Sequence, residues 1–319
     1  MLNIQENIPL APYTTFKIGG PARFFCEAKS EEEILEALEF AQEKKLPFFV
    51  LGGGSNVLVS DKGFDGLVIK ISKFPPTGDH PQGDKIKDTK IDCDAGCSLS
   101  KIVSESVKAG LTGLEWAAGI PGTVGGAVRG NAGAYGGTMA DSVKSVRALE
   151  ISNFKNEDCG FDYRDSIFKH NQNFIILSVE LKLKKGDKAE SEKKIKEILA
   201  KRKEKQPMEF PSPGSFFKNP RLIGGQAVVK NKDLIKQFET DTGQKIRDDK
   251  IPAPWIIEEA GLKGKKIGGA MVSEKHANFI VNTGNATAEN VIMLAAIIKT
   301  KVRNKFGIQL QEEVQLVGF

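Results

Sequence analysis

Two glycine-dense segments constrain this chain more than any other feature. One is LGGGSNVLV at residues 51–59, and the other is GIPGTVGGAVRGNAGAYGG at residues 119–137. Each lies among apolar stretches rather than in a flexible linker. Backbone without Cβ lets main-chain N–H groups approach an anion closely and permits the positive φ angles that turn successive N–H groups toward it. Two such loops in one chain point to a dinucleotide.

The elements around the first loop narrow the choice of fold. Ser30 and Glu33 form a capping box, and Ile34, Leu35, Leu38 and Ala41 then recur at helical spacing up to Pro47. Phe48–Leu51 reads as a strand, as do Val57–Val59 and residues 67–71, so the glycine loop joins strand to strand. A Rossmann fingerprint needs a glycine turn that opens a helix, whose N-terminus holds the pyrophosphate, and this context disfavours it. Ser55 and Asn56 follow Gly54 where a P-loop requires a lysine, so nucleoside triphosphate hydrolysis is disfavoured as well.

A chain of 319 residues is expected to form two or three domains. Apolar residues make up 40% and charged residues 27%, and no apolar run approaches the ~20 residues that cross a bilayer, so a soluble protein is expected. The first residues show no basic leader followed by an apolar run, and a cytoplasmic location follows as the expectation. Cys26, Cys93, Cys97 and Cys159 are too few and too scattered for a disulfide scaffold and are expected as free thiols. Cys93 and Cys97 form a CxxxC pair with His80 as the nearest imidazole, but no second pair completes a ligand set, and no metal is expected. The net charge of +5 is partly concentrated in lysine-rich residues 182–205, which read as a solvated helix rather than a nucleic-acid surface.

Farther along, residues 74–90 read as an exposed loop. Ser98 opens a helix through Leu99, Ile102, Val103 and Val107 that Gly110 closes. Strands are expected at 143–151 and 176–183. Four prolines within residues 206–220 mark a domain boundary. Beyond it come a short helix at 255–260, a strand at 278–281, a helix from Thr287 with Val291, Leu294, Ile298 and Val302 on one face, and a terminal strand over 306–318.

Several groups could carry chemistry. Ser215, in GSFFKNP, is either a turn serine satisfying its own backbone or a proton donor in an apolar wall. No GxSxG elbow is present, and three histidines (His80, His170, His276) leave a hydrolytic triad few candidates. Arg164 stands between Asp162 and Asp165 and reads either as part of a salt-bridged turn or as a fork for a substrate carboxylate. Glu313 faces away from Ile308, Leu310, Val314 and Leu316 in the terminal strand, on what is ordinarily the wet side. Ser273, Lys275, His276, Asn278 and Asn282 crowd a short strand and read as a grip for a phosphorylated ligand or as a satisfied loop.

The segments TTFKIGGPA, GGGSN, GIPGTVGGAVRGNAGAYG, YRDS, GSFFKNP, WIIEEAGLKG, GGAMVSEKHANF and LQEEV occur here in one order. Together they resemble the UDP-N-acetylenolpyruvoylglucosamine reductase family, over nearly the whole chain from residue 14 to residue 318. The resemblance implies an α+β protein with the vanillyl-alcohol-oxidase type of FAD fold, in two subdomains, and a third α+β domain that binds substrate. It places the first subdomain at 1–70, with 306–319 returning to the FAD and active-site region, the second at 71–205, and the substrate domain at 206–305. The interval between Arg164 and Ser215 is short for the tyrosine-bearing loop of longer members, which implies the shorter subtype.

By the same resemblance, non-covalent FAD is cradled by Gly52, Gly53, Gly54, Ser55 and Asn56 and lined by Gly119, Gly122, Gly125, Gly126, Asn131 and Ala132. NADPH and the enolpyruvyl ether of UDP-N-acetylglucosamine use one pocket in turn, NADPH reducing the flavin and the flavin then reducing the ether to UDP-N-acetylmuramate for peptidoglycan. Arg164 and Glu313 match the pair that polarises the substrate carboxylate, Glu313 as a protonated acid, and Ser215 matches the general acid. Tyr163, Lys218, Asn219, Lys275, His276 and Asn278 fall where the family binds substrate. No nucleic-acid or membrane partner is expected, and the chain is expected to be a monomer. Two alternatives remain at this point, a flavin oxidase of the same FAD fold and a nucleotide-sugar sensor that has lost turnover.

Overall fold

The computed structural model of the protein describes residues 2–72, 85–149, 151–221, 232–246 and 248–319. His80 and most of the loop expected at 74–90 lie outside them. The chain divides into two compact units: one of residues 1–8, 22–54 and 64–204, the other of residues 9–21, 55–63 and 205–319. The first glycine loop is therefore one of the places where the chain passes from one unit to the other.

The two larger sheets of the first unit each have their own core. In one, the strands run in the order Gln5–Pro9, Pro21–Ala28, Phe64–Ile71, Phe48–Leu51, and the last three are parallel. Helix Glu31–Glu43 buries Ile34, Ala37 and Ala41, which pack with Leu67 and Ile69 of this sheet. Its N-cap is Ser30, whose hydroxyl accepts the Glu33 N–H at 3.2 Å, while the Glu33 carboxylate reaches back one residue farther than a capping box requires, to the Lys29 N–H. Parallel strands need crossovers, which this helix supplies between Pro21–Ala28 and Phe48–Leu51.

The other sheet is antiparallel, in the order Ile151–Lys155, Val143–Ala148, Ile176–Lys182, Lys90–Asp94, Lys85–Lys87. Lys85–Lys87 and Lys90–Asp94 form a hairpin, so the end of the expected loop is a pair of strands. Val179, Leu181, Ile91 and Cys93 share the core with Leu99, Ile102 and Val103 of helix Leu99–Lys108. All four cysteines are free and buried, and burial pushes the Cys26 and Cys159 thiols up to about 12. Helix Lys188–Lys205 carries the lysines outward, but two of its residues are buried rather than solvated. Ser191 donates to the buried Glu115 carboxylate, and Arg202 lies against Gly119 with its guanidinium carbon 5.3 Å from the centre of the Tyr135 ring.

The second unit is organised by helix Ala288–Phe306, whose Val291, Leu294, Ala295, Ile298 and Val302 meet Phe16, Leu58, Phe216, Phe217 and Ile256 in one core. Its N-terminus is doubly satisfied. Thr287 and Asn290 cap each other, and the Asp61 carboxylate accepts the Ala288 and Glu289 N–H groups at 2.8 and 3.0 Å. Lys266–Ile267, Ala270–Val272 and Ile280–Asn282 form a small antiparallel sheet. Helix Lys232–Thr242, which the sequence reading omitted, adds Leu234 and Phe238 to the core.

The terminal strand expected over 306–318 is shorter than its apolar alternation suggests. The helix runs to Phe306 and stops at Gly307, which adopts φ +69. Only Gln315–Val317 forms a ladder, parallel to Val57–Val59. Residues 311–313 pair with Phe216–Lys218 instead, through the Glu313 and Lys218 N–H groups. Because the partner changes between 313 and 315, the face changes too, and Leu316 is 40% exposed although Ile308, Leu310 and Val314 are buried.

Candidate active site

In the first unit the two glycine segments meet backbone to backbone. A Cβ added at Gly53 would lie 2.6 Å from the Gly122 Cα, and one at Gly52 would lie 2.7 Å from the Thr123 hydroxyl. No side chain fits between the segments, so the wall they build is main chain, with Gly54 at φ +62 and Gly122 at φ +116. Such a wall fits the phosphates of a dinucleotide, which need close approach and converging N–H groups.

The amides just after this wall are already used. Thr123 caps the short helix Val124–Arg129, its hydroxyl accepting the Gly126 N–H at 3.3 Å. The Val124 and Gly125 N–H groups donate to the carbonyls of Cys97 and Ala95, both at 2.9 Å. Gly125 is a glycine because its α-carbon presses on Ala95, where an added Cβ would come within 2.7 Å of the alanine methyl. Ala132 donates its N–H to Ala127 and accepts that of Met139, and Gly119 lies under Arg202. The pattern TVGG at 123–126 signals this cap, and Thr123 is a residue that glycine counting overlooked.

Arg164 sits in a tight turn in the same unit. Asp162 and Asp165 exchange both main-chain hydrogen bonds at 3.1 Å, which leaves Tyr163 and Arg164 at the tip, Arg164 in the left-handed region at φ +56. A non-glycine residue there is strained by roughly 1–3 kcal/mol and needs its surroundings to hold it. The turn is held at several points. The Arg164 guanidinium donates to the Gly133 carbonyl at 2.7 Å, Lys169 donates to the Arg164 carbonyl at 2.6 Å, and the Asn131 amide donates to the Asp162 carbonyl at 2.9 Å.

Asp165 contributes as well. Burial pushes its carboxyl up, but the His170 imidazole at 2.9 Å and the Ser166 N–H outweigh it and hold the group below the usual carboxylate range. Tyr163 lies with its ring centre 5.6 Å from the Arg164 guanidinium carbon. The second glycine segment thus supplies two of the supports of the arginine turn, through Asn131 and Gly133.

In the second unit, Ser215 and Glu313 lie on neighbouring stretches of chain. The Glu313 N–H donates to the Phe216 carbonyl at 2.8 Å, and the Lys218 N–H donates to Gln311 at 2.8 Å. On its other edge the segment bridges Ser215 to Phe279, and Phe216 donates to the Asn278 carbonyl at 2.7 Å. Phe216 and Phe217 are 0% and 1% exposed, which anchors the segment and leaves Ser215 half-buried. Asn56 joins the same group, donating from its amide to the Glu313 carbonyl at 3.1 Å and accepting the Gln315 N–H on its own carbonyl.

The polar residues crowding 268–282 are largely engaged by the protein. The Ser273 hydroxyl accepts the N–H groups of Lys275 and His276. Asn278 binds both main-chain polar groups of Phe217, and Asn282 binds Phe16, Gly284 and Ala286. Asn219 accepts the Ala253 N–H at 2.9 Å, in the first turn of helix Ala253–Glu259, whose cap residue Pro252 has no side-chain acceptor. The Lys275 side chain is exposed. The His276 ring packs edge-on to Phe279 at 4.7 Å, and burial pulls its pKa down to about 4. Its Nδ1 is buried without a hydrogen bond among the described residues. Among the described residues no cluster of three metal-ligating side chains occurs, and no helix is long and apolar enough to cross a membrane.

Comparison with known proteins places both regions. Residues 22–153 match the family model described as an FAD binding domain, and residues 206–317 match that of the C-terminal domain of UDP-N-acetylenolpyruvoylglucosamine reductase. The reductase of Carboxydothermus hydrogenoformans is 42% identical over 322 residues, covering 99% of this chain and 94% of that one. That of Caldanaerobacter subterraneus subsp. tengcongensis is 40% identical over 316 residues, covering 98% and 93%. The crystal structure of the reductase from Thermus caldophilus superimposes with a TM-score of 0.75 at 33% identity, covering 99% of this chain and all of that one.

Proposed function

The chain belongs to the UDP-N-acetylenolpyruvoylglucosamine reductase family, and from that premise we propose how its own residues carry out the reduction of UDP-N-acetylglucosamine enolpyruvate to UDP-N-acetylmuramate, a step of peptidoglycan precursor synthesis. FAD, bound without a covalent bond, would supply the hydride chemistry, with NADPH as the source of its electrons. Gly52, Gly53 and Gly54, with Ser55 and Asn56 beyond them, would hold its pyrophosphate, and Gly119, Gly122, Gly125, Gly126 and Ala132 would line the remainder. The strand-loop-strand setting of the first loop and the side-chain-free contact of Gly53 with Gly122 support this assignment.

Addition of hydride to the alkene carbon distal to the ether pushes negative charge onto the ether-bearing carbon and its carboxylate. Arg164 meets that charge with a guanidinium held by Gly133, and Glu313 donates a hydrogen bond from its protonated form. Ser215 delivers the proton to the ether-bearing carbon, which balances the added hydride and leaves a saturated lactyl ether. A hydroxyl is a weak acid in water, so the role depends on alignment and on the basicity of the carbanionic carbon. Lys218, Asn219, Lys275 and His276, with Tyr163, bind the nucleotide sugar, two lysines suiting a diphosphate. Subdomains at 1–70 and 71–205 bind FAD, and 206–305 binds substrate.

The observation that carries this reading is the hydrogen bond from Glu313 to Phe216, which puts the glutamate beside the serine segment although the two are remote in sequence. Anaerobic stopped-flow absorbance tests it: NADPH should bleach the flavin, and the enolpyruvyl sugar should restore the colour with formation of the lactyl ether. A flavin oxidase would instead make hydrogen peroxide in air without NADPH, and a sensor would bind the sugar without reoxidising the flavin.

A further inference from the structure

We infer that Asn131 and Asn278, which a motif comparison places in the cofactor and substrate sites, are positioning residues, one for Arg164 and one for Ser215. The inference rests on the reading above and deepens it. Both side chains are almost fully buried, at 6% and 2% exposure. In each, both ends of the amide are occupied by main chain.

Asn131 joins three pieces of the first unit. Its Nδ2 donates to the Asp162 carbonyl at 2.9 Å, and its Oδ1 accepts the Ala140 N–H at 3.0 Å. The Asp162 carbonyl is the one that also accepts the Asp165 N–H and closes the turn carrying Arg164. Asn131 itself is at φ +39, a left-handed conformation that asparagine tolerates better than most residues. The strained arginine turn is thereby tied to the glycine segment by a group that can donate in one direction and accept in the other.

Asn278 does the same for the serine segment. Its Nδ2 donates to the Phe217 carbonyl at 2.9 Å, and its Oδ1 accepts the Phe217 N–H at 3.0 Å. The amide thus imitates a neighbouring strand, filling the edge of the segment opposite Glu313, where residues 216 and 218 already pair with 311–313. Without it, a buried N–H and a buried C=O two residues from Ser215 lose their partners, a cost of about 1–3 kcal/mol each that the segment would escape by shifting. Only an amide side chain of this length offers donor and acceptor in one plane.

A control is built into the fold. Asn282 is equally buried at 5% and equally engaged, donating to Phe16 and accepting from Gly284 and Ala286, and these side-chain hydrogen bonds go to neither the arginine turn nor the serine segment. Asn131→Ser, Asn278→Ser and Asn282→Ser are compared by thermal melting, by FAD titration of the apoprotein, and by anaerobic stopped flow of each half-reaction. All three should melt earlier. FAD affinity and flavin reduction by NADPH should stay near wild type in all of them, and sugar-dependent reoxidation should slow about 10- to 100-fold only in the first two.

Coupling completes the test. Asn131→Ser should add less than about 2-fold to the defect of Arg164→Met, Asn278→Ser should add equally little to Ser215→Ala, and the crossed pairs should multiply. If a serine variant fails to fold, the corresponding aspartate, which keeps volume and acceptor but loses the donor, is measured in its place. The inference is overturned if Asn131→Ser weakens FAD binding, if Asn282→Ser slows reoxidation as much as the others, or if the paired defects multiply. A normal reoxidation rate in Arg164→Met or Ser215→Ala overturns the underlying reading instead, and the inference with it.

Discussion

Glu313 donates its main-chain N–H to the carbonyl oxygen of Phe216 at 2.8 Å, on the edge of the serine segment opposite the one that Asn278 satisfies. The carboxyl and hydroxyl groups proposed to act in one chemical event are thereby fixed to adjacent stretches of backbone. Their spacing is set by hydrogen bonds rather than by flexible side chains, and backbone hydrogen bonding of this kind is difficult to disturb without unfolding the segment.

Replacing Ser215 by Ala should separate the two half-reactions. Flavin bleaching by NADPH should remain near wild type, while reoxidation by the enolpyruvyl sugar should fall about 10²- to 10⁴-fold, the range of a general acid. Stopped-flow absorbance reads both steps. Equal loss in both would remove the serine from proton transfer.

Arg164→Met should leave the flavin bound and the protein yellow while slowing reduction of the sugar. Because Arg164 is at φ +56, Arg164→Gly should relieve backbone strain of roughly 1 kcal/mol or more and melt later than Arg164→Met while being just as slow. Differential scanning calorimetry and single-turnover rates check the pair. A colourless Arg164→Met protein would make the arginine structural.

Gly53→Ala should be costly although it adds one methyl group. The new Cβ would lie 2.6 Å from the Gly122 Cα, a main-chain atom that cannot swing aside. Separating the two glycine segments should destabilise the first unit by about 1–3 kcal/mol and weaken FAD uptake. Fluorescence titration of the apoprotein with FAD measures the second effect, and a variant with wild-type affinity would count against the cradle.

His276 should make stability depend on acid. Its folded pKa is depressed to about 4, chiefly by burial, from the 6.5 of an unperturbed imidazole. The unfolded chain therefore binds the extra proton first as pH falls, so the folded state loses stability between about pH 6.5 and pH 4 and is unaffected by this group at higher pH. The full loss is on the order of 3 kcal/mol, since each pKa unit corresponds to about 1.4 kcal/mol. Urea denaturation across this window should show a shallower slope for His276→Phe than for the parent.

Phe217→Ala should cost about 3–5 kcal/mol, because its ring is 1% exposed and packs edge-on to Phe216 at 5.1 Å. The same substitution should slow reoxidation by sugar more than reduction by NADPH, since the ring anchors the segment that carries Ser215. Chemical denaturation and stopped flow test the two effects independently.

Much of the fold was legible because it depends on local periodicity and termination. Ser30 and Thr287 sit at the helix starts that their spacing marks, whereas Gly307, which ends the last helix, fell inside the expected terminal strand. The alternation of Leu177, Val179 and Leu181 gives a strand buried on that face, and the context of Gly52 to Gly54 argues against a Rossmann turn by adjacency alone. Helix Lys232–Thr242 escaped because its short apolar face is set in a polar stretch. The terminal strand was overextended because alternation cannot reveal that the pairing partner changes from Phe216–Lys218 to Val57–Val59.

The sequence by itself determined the family and named the candidate glycine segments and candidate catalytic side chains, because these depend on residue types in a set order. Only the tertiary structure decided what the asparagines touch, that Arg202 is a buried residue of the lysine-rich helix, and that the carbonyl of Gly133 holds Arg164. A hydrogen bond is satisfied by whichever group folding brings within about 3 Å. The linear order of residues carries no record of which amide that will be.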